Sequence, residues 1–97
     1  MMMDALTDIT TILRRYLTPG QYDVFLFGSR AGGEASRFSD YDIGIRGEKP
    51  LPPLVKATIE EALEESDIPY SVDVVDFFFL PERFRGVALS HTQKLSV

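Results

Sequence analysis

Ninety-seven residues with 44% apolar content specify one small domain, 1–97, and a chain this short hides only about 60–65% of its unfolded surface on folding, which leaves a thin stability margin. Seven Phe and four Tyr argue against disorder, no apolar run approaches the ~20 residues of a bilayer span, and the absence of cysteine excludes disulfides and thiolate metal sites. A net charge of −5 disfavours nonspecific nucleic-acid binding, which depends on Lys and Arg displacing counterions; the start Met1-Met2-Met3-Asp4 lacks the features of a signal peptide, so the expected compartment is the cytoplasm.

Leu6, Ile9, Leu13 and Leu17, with Ile12 and Tyr16 alongside, recur at helical spacing and predict an amphipathic helix from about Asp4 to Leu17, stopped by Thr18-Pro19-Gly20. Tyr22 to Phe27 is short, aromatic and β-branched between two glycines, the pattern of a buried strand. Gly28 to Ser39 holds three glycines and three serines and predicts a turn, one helical turn at Ser29 to Ala31, and a loop. From Asp40 to Arg46 the chain alternates, with Asp40, Asp42, Gly44 and Arg46 on one face and Tyr41, Ile43 and Ile45 on the other, as a half-buried strand does. Gly47 to Pro53, with its three prolines, is a loop. Leu54, Val55, Ile59, Ala62 and Leu63 then mark a helix ending near Ser66, with Glu60, Glu61, Glu64 and Glu65 as its solvated face.

Ser71 to Leu80 alternates as a strand, with Asp73, Val75, Phe77 and Phe79 on one face and Val72, Val74, Asp76, Phe78 and Leu80 on the other. Both faces are largely apolar and call for cover. Pro81 to Ser90 predicts a short terminal helix, followed by a polar tail after His91. The expected fold is a small α/β (α+β) unit, a mixed sheet with helices packed against it, because the short connections cannot all be parallel crossovers.

Residues i and i+2 of a strand point to the same side about 6.5–7 Å apart, so Asp40 and Asp42 converge. Two such carboxylates straddle a pair of Mg²⁺ ions about 3.5–4 Å apart, an arrangement that stabilises the attacking and leaving oxygens of phosphoryl transfer. Magnesium suits carboxylate oxygens combined with substrate phosphates. Asp73 is the third candidate ligand, since an unpaired charge in the middle of an apolar strand is costly. With its strand beside that of Asp40 and Asp42, all three face one cleft, and Gly44 leaves room there for a ligand. Gly28 permits a sharp turn, and Ser29 opens a short helix whose N–H groups and hydroxyl receive terminal phosphates, with Arg30 adding charge.

Each part alone is weak, because paired aspartates often cap turns and a lone Gly-Ser is commonplace. The order strand, Gly-Ser, Asp-x-Asp strand, later Asp is what carries specificity. Asp76 points opposite to Asp73 and suits a turn or strand edge, His91 suits the surface, and a surface role for Arg30 competes closely with phosphate binding. Phe77 to Leu80 reads as core with part of its surface available to a partner.

Phe27-Gly28-Ser29-Arg30-Ala31, Gly33, Ser39-Asp40-Tyr41-Asp42-Ile43 and Val72-Asp73-Val74-Val75-Asp76 resemble, in order and spacing, the minimal nucleotidyltransferase (MNT) family of the DNA polymerase β superfamily. The resemblance covers nearly the whole chain. It implies the small nucleotidyltransferase fold, phosphate binding by Gly28 and Ser29, metal binding by Asp40, Asp42 and Asp73, and activation of the acceptor hydroxyl by Asp73. It further implies transfer of AMP from ATP, with Mg²⁺, and a role as antitoxin to a HEPN-type toxin. Gly32 departs from the pattern, standing where the family commonly carries an Arg.

Two readings follow. One is an enzyme that places AMP on a hydroxyl of a protein acceptor. The other is a catalytically weak module that neutralises a helical toxin by contact, motivated by Gly32 and the apolar Phe77 to Leu80 segment. The thin stability margin favours a homo-dimer or heteromer over a lone monomer.

Overall fold

The computed structural model describes residues 5–28, 40–79, 92–95 and 97. Helix α1 spans Ala5–Tyr16 and buries Ile9, Ile12 and Leu13, one stripe at helical spacing; Asp8 in its first turn and Arg14 and Arg15 in its last complement the helix dipole. Beyond it Gly20 turns the chain at φ +85° into strand β1, Tyr22–Phe27. Strand β2 is Tyr41–Gly47, helix α2 Pro53–Glu64, strand β3 Val72–Asp76 and strand β4 Gln93–Leu95.

The sheet order is β3-β2-β1-β4. β1 is antiparallel to both β2 and β4, while β2 and β3 are parallel. The parallel pairing follows from the β2-to-β3 connection, in which α2 carries the chain back.

Strand alternation sorts the side chains into two layers. Val24, Leu26, Ile43, Ile45, Val74 and Leu95 pack against Ile9 and Leu13 of α1 and Ile59 and Leu63 of α2, forming the main core. On the opposite face Phe25, Phe27, Val75 and Phe77 form a smaller cluster. Both faces are thus filled, as the two apolar faces of β3 demand.

Among the described residues the expected helices and strands are found, most with shifted ends. β1 matches its predicted bounds, and α1 lies one residue inside each end of its prediction. α2 closes just before Ser66, whose hydroxyl donates to the Leu63 carbonyl at 2.6 Å and accepts from the Ile68 N–H at 3.3 Å, capping the last turn. Asp40 falls outside β2, which begins one residue later.

The strand expected over Ser71 to Leu80 is shorter, ending at Asp76. The cause is local. One Asp76 carboxylate oxygen accepts from the Phe78 N–H at 2.9 Å and the other from the Leu51 N–H at 2.9 Å, so the chain is drawn into a turn and tied to the loop before α2. The turn or strand-edge role read for Asp76 is the one it fills. Asp76→Ala leaves two backbone donors without these acceptors and is expected to cost about 2 kcal/mol, read as a fall of ~8–16 °C in Tm.

β4 was not foreseen in the polar tail. It is short, and its apolar anchor is Leu95, buried in the main core opposite Val24. The helical turn at Ser29 to Ala31, the loop to Ser39, Leu80, the helix at Pro81 to Ser90 and His91 lie outside the described residues. No helix among the described residues is long and apolar enough to cross a membrane.

Candidate active site

At one end of the sheet the backbone sets three residues in a row across three strands: Phe27 of β1 is the partner of Asp42 of β2, and Asp42 is the partner of Asp73 of β3. Register partners project to the same face, so the adjacency of Asp42 and Asp73 expected from sequence is present. That face is the one opposite α1 and α2, the face of the Phe25, Phe27, Val75 and Phe77 cluster.

Asp42 is half-buried, whereas Asp40 and Asp73 are exposed. The Asp42 carboxyl is held above the ordinary carboxylate range, first by burial and then by the negative charges of Asp73 and Asp40. The three acids therefore share one electrostatic environment. They are not drawn into a closed cage: among the described residues no group of three or more His, Cys, Asp or Glu side chains is gathered for a metal ion. The donor chemistry nevertheless fits magnesium, since all three offer hard oxygen ligands and their mutual repulsion is what a divalent cation relieves.

Gly28 follows Phe27 directly and adopts φ +79°, a conformation that L side chains rarely take. A Cβ there would run into the Asp42 carboxylate oxygen Oδ2. Gly28 is therefore required twice, for the turn and for the space that Asp42 occupies. Ser29 and Arg30, the other two residues assigned to phosphates, lie outside the described residues.

Gly44 corrects an expectation. The room above it is taken by protein, because a Cβ would stand 2.5 Å from Cζ of Phe25 and 2.9 Å from Cε1 of Phe77. The alternation identified its face correctly, but a missing side chain says nothing about what fills the gap.

A broad cavity of about 700 Å³, lined by Tyr22, Asp23, Arg46 and Lys49 among others, opens at the other end of β1 and β2. It lies four or more residues along β2 from Asp42, roughly 13 Å at strand rise. Its charged residues include the exposed Asp23 and Arg46, 3.9 Å apart, a pairing of little energetic weight. Size does not make it the site; the convergent carboxylates lie elsewhere.

Comparison with known proteins bears on the family and the fold. The family described as polymerase beta nucleotidyltransferase matches residues 8–95. A "Probable protein adenylyltransferase MntA" of Haemophilus influenzae is 40% identical over 84 residues, which is 87% of this chain and 72% of that protein. The fold is similar to that of a crystallised toxin-antitoxin with AMP-PNP, with TM-score 0.73 and 23% identity over 94% of this chain and 72% of the other. It is also similar to a structure of a tri-AMPylated Shewanella oneidensis HEPN toxin in complex with MNT antitoxin, with TM-score 0.66 and 20% identity over 92% of this chain and 66% of the other. The last two likenesses bear on the fold, whereas the first two bear on descent, and on that ground the chain belongs to the polymerase beta nucleotidyltransferase family.

Proposed function

We propose that this chain, acting as the single domain 1–97, transfers AMP from ATP to a hydroxyl of a protein partner, and that the partner is a HEPN-type toxin which it restrains as antitoxin. The observation that carries the reading is the register of Asp42 with Asp73 at the sheet end where Gly28 turns against Asp42. It is supported by the relative named as a probable protein adenylyltransferase and by the fold shared with MNT antitoxin bound to AMPylated HEPN toxin.

Asp40, Asp42 and Asp73 would hold two Mg²⁺ ions, which supply charge neutralisation at the phosphates. Gly28 and Ser29 would seat the terminal phosphates, with Arg30 adding charge. Asp73, exposed at its strand start, would accept the proton of the attacking hydroxyl. The acceptor oxygen bonds to the α-phosphorus, the bond to the β-phosphate breaks, and pyrophosphate leaves. Preorganised charge along this in-line displacement accounts for most of the rate.

The test is the intact mass of the toxin encoded with this chain, after incubation with the chain, ATP and Mg²⁺. The expected result is a gain of one or more AMP units. An unchanged mass with a neutralised toxin would favour the second reading, a module acting by contact. Phe78 and Phe79, exposed at 43% and 69% and packed edge to face at 5.1 Å, give that reading a surface.

A further inference from the structure

We propose that Gly44, Phe25 and Phe77 are positioning residues for the acidic pair, a clip that joins β1 to β3 across the bare Cα of β2 and holds Asp42 and Asp73 in register for metal binding. The proposal rests on the carboxylate reading above.

β1 and β3 are not neighbours in the sheet, yet their rings meet. Phe77, one residue beyond β3, keeps the parallel ladder going by donating its N–H to the Ile45 carbonyl at 2.8 Å. Its ring reaches over β2 to Phe25 at 4.9 Å and Phe27 at 5.0 Å between centroids, edge to face in both cases. Phe25 is the register partner of Gly44, so both rings crowd over that one residue. Only a residue without Cβ allows it.

A glycine inside a strand weakens the strand and marks a close approach. Here the close approach lies two residues from Asp42 on the same face, and Phe27, the third ring, is Asp42's own partner across the ladder. With Phe25, Phe27 and Phe77 exposed at 8%, 1% and 3%, the rings have no free space into which to retreat. A methyl group at position 44 meets Phe25 first and Phe77 next, so it must drive Phe25 toward Phe27, beside Asp42, or lift Phe77 and with it β3, which carries Asp73. Outer-shell groups hydrogen-bonded to metal ligands change metal affinity by about 10–100-fold when altered, and residues that act through strand position alone are expected at the lower end of that range.

The test is a double-mutant cycle read by Mn²⁺ binding to the full chain without nucleotide, from the loss of the free-ion electron paramagnetic resonance signal. Gly44→Ala is expected to weaken binding about tenfold, Phe77→Leu alone to weaken it through the void it leaves, and the two together to return it to within about threefold of wild type. Leu63→Ala, in the core on the helix side, lowers Tm without moving the affinity. Wild-type affinity in folded Gly44→Ala, or an equal loss in Leu63→Ala, would overturn the proposal alone. Should Gly44→Ala not fold, wild-type affinity in Phe77→Leu would overturn it equally. Binding that survives Asp42→Asn, or is missing in wild type, would sink the carboxylate reading itself and the clip with it.

Discussion

Asp42→Asn is expected to abolish AMP transfer, by about 10³-fold or more, while the protein remains folded. Asp42 is the member of the acidic set set deepest in the site: half-buried, in register with Asp73, and overhung by the turn at Gly28. An amide keeps the shape but turns one acceptor oxygen into a donor and removes the negative charge that a divalent cation needs, and neither exposed Asp40 nor Asp73 occupies that position. The measurement is transfer from α-phosphate-labelled ATP into the toxin partner, with wild type and variant at equal folded concentration. Label retained at the wild-type rate would remove Asp42 from the chemistry.

The same substitution is expected to stabilise the metal-free fold, and the sign can be worked out. The Asp42 carboxyl binds its proton more tightly folded than unfolded, through burial and through the charges of Asp73 and Asp40. Its contribution to stability is present below the unfolded-state pKa and is lost as pH rises through the higher folded-state value. At neutral pH the wild-type protein therefore carries the full cost of this charge, and Asp42→Asn does not. A Tm rise of ~2 °C or more is expected at pH 7 without metal, shrinking as pH falls into the carboxylate range. Mg²⁺ with nucleotide should narrow the gap by stabilising only the wild type. A variant less stable than wild type at every pH would mean that Asp42 is held by favourable contacts rather than strained by its neighbours.

Much of this site was legible because its information is local. The period-2 alternation through Asp42, Gly44 and Arg46 fixes a common face, and the glycines bounding Tyr22 to Phe27 fix where that strand stops. The partnership of Asp42 with Asp73 is not local; it depends on α2 carrying the chain back into a parallel pairing. Sequence spacing could make that pairing reasonable but could not set its register. Two expectations failed, the length of the last predicted strand and the ligand space at Gly44, because both turned on contacts made elsewhere. Asp76 ends β3 because the Leu51 N–H, far away in the chain, claims one of its oxygens, and Gly44 seats the rings of Phe25 from β1 and Phe77 from just beyond β3. β4 escaped notice because Leu95 is the single buried residue of a three-residue strand, too short to show a period.

Gly28→Ala is expected to lower transfer by ~10²-fold or more, since displacing a reacting group's support by about 1 Å can cost that much. Two effects combine in it. A φ of +79° costs an L side chain about 1–2 kcal/mol, and the new methyl would collide with Oδ2 of Asp42 while standing 3.3 Å from its Cγ. Gly20 separates the two. It has nearly the same backbone conformation, φ +85°, but nothing within 4 Å of the position its Cβ would take. Gly20→Ala should therefore lose comparable stability, ~4–16 °C in Tm, and keep its transfer activity. Tm and initial rate for the two variants, measured side by side below both transitions, decide the matter. Equal losses of activity would mean that the left-handed turn matters only for folding. A loss confined to Gly28→Ala would place the Asp42 carboxylate, and the space Gly28 leaves for it, at the centre of the reaction.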